Sequence, residues 1–385
     1  MKVLLVGEYS GVHTNLAKGL KNKGHSVFVV SDGDGYKKIG NPDLFIVNKI
    51  LNSDFRAVQF LLNIYYLLLS FIGLNGFLYA LSVVGKINRL KDYDVVQLIN
   101  TRPFSSISSF GNLFLLFFIF KNNKKVFLCA LGDDYTWVKS CLDKKQPYSK
   151  FERLSKSNIK YFMWSFLYVY GLGFKLLNGF VLNNIIKVIP GVYDYYFAYS
   201  ECNNKKLSGL IPLPIETNLS VTPYVFDGYP IKIFHGWQKG REFDKGNDLL
   251  DRAVLRLIEN HPSKVEYEVV SSVPYEEYIR KFNDAVIYLD QCYSLDRGMN
   301  AILGMRAGKV VFSGFHRETA DYFNANLNKC LIDAKPNIDE IYLELERLIF
   351  NPIEMEAISK EAIQFVKKNH DLDLVVDQYL KAWMD

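Results

Sequence analysis

The residue types that could handle an anionic or hydroxyl-bearing substrate sit in short loops, each directly after an apolar run. The first loop, Gly7-Glu8-Tyr9-Ser10-Gly11-Val12-His13, follows KVLLV (2–6) and precedes a helical pattern from Thr14 to Asn22. Its glycines, Gly11 among them, bring backbone N–H groups to a helix N-terminus, where anions are stabilised. His13 is a candidate for orienting a hydroxyl. The second loop, Gly132-Asp133-Asp134, follows VFLCAL. Polar side chains at the carboxyl end of a parallel strand face the ligand crevice; a helix cap is the other role open to them.

The third loop begins at His235-Gly236 after IKIF and continues through Arg241 to Lys245-Gly246-Asn247-Asp248. A strand-end glycine permits close approach of a ligand. Arg241 and Lys245 are suited to a diphosphate through charge-assisted hydrogen bonds, against the alternative of a solvated basic loop. The fourth, within YSLDRGMNAILGMRAG (293–308), starts a helix at about Gly298-Met299-Asn300, a further N-terminus that favours an anion.

Other chemistries fit less well. Asp32 lies about 20 residues past the first loop, where a ribose-binding acid would stand in a dinucleotide fold, but the loop lacks the GxGxxG spacing. Asp32-Gly33-Asp34 mimics a metal-binding DxD and reads better as a polar turn. Ser294, His235 and Asp290 form no demonstrable nucleophilic triad. The five cysteines include no CxxC pair, so they read as free thiols rather than a zinc site.

The elements that must position these loops alternate strand and helix, the pattern of a parallel α/β fold. Strands are expected at 2–6, 26–30, 94–100, 126–131, 185–189, 231–234, 265–270, 285–291 and 309–314. The run LIPLPI (210–215) reads as an extended linker, which divides the chain near residue 215. With 385 residues, 49% of them hydrophobic, the chain has material for two large cores; disordered, collagen-like and disulfide-scaffold classes are excluded. A net charge of +5 is too weak to argue for nucleic acid. MKVLLVGEYSG reads as a first strand rather than a secretion signal.

Two stretches, 57–85 and 103–120, contain no charged residue. The first is long enough to span a bilayer, but a span there would separate strands that belong to one sheet. Gly73, Asn75 and Gly76 mark a break between two helices. Lys86, Arg89, Lys91, Lys121, Lys124 and Lys125 flank these stretches. Resting in a membrane interface and packing inside the domain both remain open.

Taken together, the first-loop GxxxxH pattern, the strand–Gly–basic–Lys-Gly segment (236–246) and the segment 295–308 resemble a GT-B glycosyltransferase, over nearly the whole chain. The nearest type is the family-4-like retaining enzymes of bacterial capsule, O-antigen and exopolysaccharide synthesis. The resemblance implies two doubly wound Rossmann-like domains facing each other across a cleft. Residues 1–215 would form the acceptor side, 216–365 the nucleotide-sugar side, and 366–385 a helix returning to the first domain, with a break near Asn369-His370-Asp371. It implies a nucleotide-sugar donor, a glycan or lipid-linked acceptor, no metal or other cofactor, and a cytoplasmic location, peripheral on the inner face of the membrane. His13 and Asp133 would be catalytic, with Gly11 and Asp134 on the acceptor side. Gly236, Arg241, Lys245, Gly298, Met299 and Asn300 would bind the donor. The chain departs from the family's two acidic positions, where it carries Leu295 and Leu303. Leucine cannot accept the ribose hydroxyls, so a catalytically degraded sugar-nucleotide or glycan-binding partner is the alternative.

Overall fold

Strands covered by helices on both sides must be apolar on both faces, and KVLLV meets that demand residue by residue. In the computed structural model, which describes residues 1–34, 40–202, 204–218, 220–237, 242–271, 273 and 275–385, Val3 and Leu5 face one core and Leu4 and Val6 the other. This is the two-residue alternation of a strand.

The first sheet contains β1 (Lys2–Val6), β2 (Ser26–Ser31), β3 (Leu44–Phe45), β4 (Val95–Leu98) and β5 (Val126–Leu128). All pair in parallel, in the order β3-β2-β1-β4-β5. The second contains β6 (Ile231–Gly236), β7 (Val265–Val270), β8 (Ile287–Leu289), β9 (Val310–Ser313) and β10 (Ile332–Asp333), also parallel, in the order β10-β9-β8-β6-β7. Strand order reverses between β1 and β4 and again between β6 and β8. Ligand crevices of open α/β sheets lie at the carboxyl ends of the strands on either side of such a reversal.

The helices of the first half are α1 (Val12–Asn22), α2 (Arg56–Phe71), α3 (Phe77–Ile87), α4 (Ser109–Asn122), α5 (Tyr135–Leu142), α6 (Met163–Tyr170), α7 (Phe174–Asn184) and α8 (Tyr193–Glu201). Those of the second are α9 (Glu242–Lys245), α10 (Asn247–Asn260), α11 (Tyr275–Asp284), α12 (Met299–Arg306), α13 (Arg317–Tyr322) and α14 (Ile338–Ile349), followed by α15 (Pro352–Asn369) and α16 (Leu372–Met384).

The final helix leaves the second sheet and packs on the first. Asp371 caps α16 by accepting the N–H groups of Asp373 and Leu374, which ends α15 and turns the chain. Trp383 Nε1 then donates to Gln97 Oε1 on β4 at 2.9 Å. A Cβ on Gly19 of α1 would stand 2.6 Å from Val376, so α1 and α16 approach too closely for any side chain there.

The two uncharged stretches take different places. α3 and α4 bury Ala80, Val83, Ile87, Leu115, Leu116 and Ile119 beneath the first sheet. α2 fully buries only Ser70 and leaves Val58, Phe60, Leu61, Ile64, Tyr65 and Leu68 exposed. Among the described residues no single helix is long and apolar enough to cross a membrane; residues 159–170 and 174–184 pass that test only together, bent by 54°.

Candidate functional site

The carboxyl ends of the two sheets face one another across a cavity of about 190 Å³. A roomier hollow of about 500 Å³ lies along residues 141–154, but none of its lining residues stands at a strand end. The cleft is where charges converge.

On the first-domain side, Asp133 follows β5 and lines the cavity. The backbone that carries it is tied down by Asn100, whose amide donates to the carbonyls of Leu131 and Asp133. Lys150 Nζ reaches Asp133 Oδ2 at 2.9 Å and donates to Ser165 Oγ at 2.8 Å, while the Ser165 hydroxyl donates to the same carboxylate at 2.6 Å. The ammonium lies 5.3 Å from the Trp137 ring centroid and 5.5 Å from that of Phe151. Its other carboxylate neighbour, Asp244 at 3.9 Å, belongs to the opposite domain. Nearby, Arg153 makes a two-pronged ion pair with Asp248 and lies 4.9 Å from the Phe243 ring. Residues 150–153 thus strap the first domain to the loop that carries Lys245.

On the second-domain side, Lys245 Nζ is 2.7 Å from Asp290 Oδ1. Asp290 also accepts from Ser313 Oγ at 3.0 Å. Lys245 is almost buried, so its attraction to Asp290 is poorly screened. Gly246, which follows it, caps α10 with φ of 71°; a Cβ there would lie 2.1 Å from the Cys292 sulfur, so only glycine fits. His235, at the end of β6, is fully buried; its Nδ1 pairs with the Tyr267 hydroxyl at 2.8 Å, and burial pushes its pKa down to about 4.

Between the domains runs the loop 294–298, which leads into α12. Asp194 on α8 accepts the N–H groups of Leu295 and Asp296, both at 3.0 Å. Arg297 is buried between the rings of Phe315, Phe323 and Phe365, paired with Asp296 and 2.9 Å from His370 Nε2.

The expected site residues divide accordingly. Asp133, Lys245 and Gly298 line the cleft cavity. Gly236 ends β6, beneath the Tyr278 hydroxyl. Met299 is buried in the core, and Asn300 points to solvent. Arg241 lies outside the described residues.

Three expectations need correction. His13 does not reach the cleft: its ring is wholly buried, Nδ1–H donates to the Gly7 carbonyl at 2.7 Å, and burial lowers its pKa to about 4. The α1 N-terminus next to Gly11 is not open to an anion, because the chain's own Glu8 fills it by accepting from the Thr14 N–H (2.8 Å), the Thr14 hydroxyl (2.6 Å) and the His13 N–H (3.3 Å). Burial lifts the Glu8 pKa to about 7. Asp134 is the fully buried cap of α5, accepting from Trp137 N–H at 2.7 Å and from the Tyr199 hydroxyl at 2.6 Å.

Asp32 and Asp34 act as loop ties, accepting from Ser105 and Ser106 and from the Ser10 N–H respectively. Among the described residues no group of three or more His, Cys, Asp or Glu is gathered as metal ligands would be. Leu295 is fully buried, and Leu303 packs on the core, so both positions that carry acids in the resembled family are filled by hydrocarbon. Sequence reasoning missed Lys150, Asp194, Arg297 and His370. Lys150 and Asp194 lie in segments with no motif; Arg297 and His370 lie in segments the sequence does flag, but nothing local shows that they pair with one another beside the cleft.

No protein-family model matches the chain, and no curated protein matches it in sequence. Solved structures do match over the full length. Anabaena Alr3699/HepE in complex with UDP and glucose aligns with a TM-score of 0.58 and 11% identity, covering 99% of each chain. Sucrose-phosphate synthase from Thermosynechococcus elongatus gives a TM-score of 0.58 and 11% identity over 100% of this chain and 98% of that one. A UDP-N-acetylglucosamine 2-epimerase from Listeria monocytogenes, itself assigned provisionally, gives a TM-score of 0.51 and 11% identity over 99% and 95%. At this identity the likeness fixes the fold: two facing parallel α/β sheets in the GT-B arrangement.

Proposed function

We propose that the chain is a glycosyltransferase that moves a sugar from a nucleotide-sugar to a glycan or lipid-linked acceptor, retaining the anomeric configuration and needing no metal. The observation that carries this reading is the convergence in one cleft of Lys245 and the start of α12 from the second domain with Asp133 and Lys150 from the first. HepE, of the same fold, is known in complex with UDP and glucose. Bacterial surface polysaccharide synthesis is the setting that the sequence resemblance implies.

The chemistry follows from where charge develops. As the glycosidic bond to the donor breaks, the departing diphosphate gains negative charge. Cations and helix N-terminal N–H groups already aimed at that place stabilise the transition state more than the ground state. Lys245 and the backbone at Gly298 are placed to do this. Asp133, hydrogen-bonded by Lys150 and Ser165, is an acceptor for the attacking hydroxyl and orients it. The Arg153–Asp248 ion pair joins the domains beside the cleft, where keeping water out would favour transfer over hydrolysis.

The apolar surface favours a lipid-linked acceptor. Leu68 and Leu78 are exposed, Leu78 by 80%, and so are Trp164, Tyr170, Leu172 and Leu176. The two groups adjoin, because Leu172 N–H donates to the Phe71 carbonyl at 2.7 Å. Soluble proteins seldom expose so large an apolar patch without a partner. Arg56, Lys160 and Lys175 lie on the same segments, so an anionic bilayer complements the patch in both respects.

The second reading, a nucleotide-sugar or glycan-binding partner without turnover, is favoured by Leu295 and Leu303. A transfer assay separates the two. In EDTA, labelled UDP-glucose, GDP-mannose or ADP-glucose is incubated with the protein and anionic vesicles containing a polyprenyl-phosphate glycan. The transferase reading expects label in the lipid fraction; binding without incorporation favours the partner reading. The protein should float with anionic vesicles, less so in high salt. Leu78→Gln with Leu172→Gln should weaken that binding at least about tenfold, since burying each leucine is worth roughly 1.5–3 kcal/mol. Flotation that is unchanged by both substitutions contradicts the membrane role.

A further inference from the structure

The loop that leads into α12 is held from the opposite domain by a reciprocal exchange of carboxylates. Asp194, in the first turn of α8, accepts the Leu295 N–H on Oδ1 and the Asp296 N–H on Oδ2, both at 3.0 Å, and shares the Ser294 hydroxyl, 3.0 Å from Oδ2, with the Asp296 carbonyl at 2.7 Å. In return Asp296 Oδ2 accepts the Tyr193 N–H at 2.9 Å, so it caps the start of α8. Each carboxylate satisfies backbone donors of the other domain. The far side of the loop is fixed by Arg297, which donates to His370 Nε2, and His370 Nδ1–H donates to the Leu213 carbonyl at 2.9 Å. Leu213 lies in the segment that crosses between the sheets and His370 at the break that sends α16 back. Both passages between the domains therefore meet at this loop.

From this geometry we infer that Asp194 is a positioning residue: it sets the place of residues 294–298, and with them the donor-facing start of α12, only when the two domains are closed. This rests on the glycosyltransferase reading and names the coupling on which donor binding would depend. The resembled family carries an acid at the position of Leu295; here the carboxylate that serves the loop comes from across the cleft.

The coupling involves a proton. In the closed arrangement burial lifts Asp194 to about 7, the Asp296 carboxylate adds to the rise, and the three donors oppose it. The other titratable groups facing it are Cys141 on α5, Tyr148 before the strap, and Tyr195 on its own helix. Asp133, Lys150, Asp244, Lys245 and Arg297 line the same cavity. Opening the cleft returns Asp194 to water and to the ordinary carboxylate range. Closing then takes up a proton between that range and about 7. Closure is favoured at the acid end of this window, is progressively lost as pH rises through it, and levels off above.

The test is calorimetric binding of UDP-glucose, GDP-mannose and ADP-glucose to the full chain between pH 5.5 and 8, a range over which their phosphodiester groups do not titrate. Wild-type affinity for the bound nucleotide-sugar should fall by up to about tenfold per pH unit towards 7 and then flatten. Asp194→Asn, which keeps the shape but cannot ionise, should give a flat profile. Ser294→Ala removes one donor that stabilises the ionised form, so it should move the inflection to higher pH while leaving the carboxylate in place. A merely structural Asp194 would produce neither change, and the serine variant keeps the test available if the asparagine variant folds poorly. Wild-type binding whose pH profile is the same in both variants overturns the inference and leaves the transferase reading standing. Failure of every nucleotide-sugar to bind the wild type removes the transferase reading, and this inference with it.

Discussion

Replacing Lys245 by methionine lowers sugar transfer about 10²–10³-fold, the range seen when one preorganised group that stabilises transition-state charge is removed. The expectation follows from position. Lys245 is one of the cations lining the cleft, it is nearly buried, and its charge faces the same cavity as the start of α12. The methionine keeps the aliphatic stem, so packing against the loop changes little. The substitution also strands Asp290, which is only 2% exposed and would keep Ser313 as a remaining partner. Breaking one side of a buried pair costs about 3–5 kcal/mol, so the single variant loses stability as well as activity. The double variant Lys245→Met with Asp290→Asn separates the two effects. It recovers most of the urea midpoint, because no uncompensated charge is buried, but not the rate of transfer. Recovery of both would assign Lys245 to the architecture of the loop and not to the donor.

The second large effect is on stability. Arg297→Ala should lower the unfolding free energy by about 3–5 kcal/mol, because it leaves Asp296 short of its charged partner and opens a cavity. The guanidinium now fills the space between Phe323 and Phe365, 4.3 and 4.5 Å from their ring centroids. Alanine restores neither these contacts nor the hydrogen bond to His370. Lysine should rescue only part of the loss, since a flexible ammonium cannot stack between two rings and bond Asp296 and His370 at once. A urea midpoint within experimental error of wild type for Arg297→Ala would show that the link between loop 294–298 and the crossing segment contributes little.

Much of the fold can be read in the chain because it depends on local pattern. KVLLV, SVFVV and IKIF are short apolar runs bounded by glycine or polar turns, and each is a strand. The helix start near Gly298 and the break at Asn369-His370-Asp371 are likewise visible as local signals. The uncharged stretch 57–85 is only half legible. Gly73, Asn75 and Gly76 reveal two helices, but composition does not reveal that α3 is packed and α2 exposed, since that depends on which surface each helix finds. The first loop misleads for a physical reason. GxxxxH at a strand end suggests an open anion site, yet Glu8, inside the same motif, occupies the helix N-terminus itself.

The cleft is the least legible part. Asp133 in the loop after β5 and Lys245 in the Lys-Gly step before α10 are flagged by position. Their partners are not: Lys150 lies in an aromatic-rich stretch without a motif, and Asp194 meets Asp296 across a separation of 102 residues. Contacts of this kind exist only after both sheets have formed and faced one another. The leucines at 295 and 303 point in the same direction. Read alone they suggest a lost site; the structure brings the Asp194 carboxylate from the other domain to the loop that holds Leu295, while Leu303 stays packed on hydrocarbon.

The most direct test of the central claim, that the cleft holds a nucleotide-sugar donor, is thermal unfolding of the purified full chain in EDTA against UDP, GDP, ADP and CMP and their sugar conjugates. The account predicts that one nucleotide family raises the midpoint, with a stabilisation of about 2.7 kcal/mol at a hundred times the dissociation constant. That increase should be absent in the Lys245→Met/Asp290→Asn variant. No shift with any of these ligands, or an equal shift in the wild type and the double variant, would contradict it.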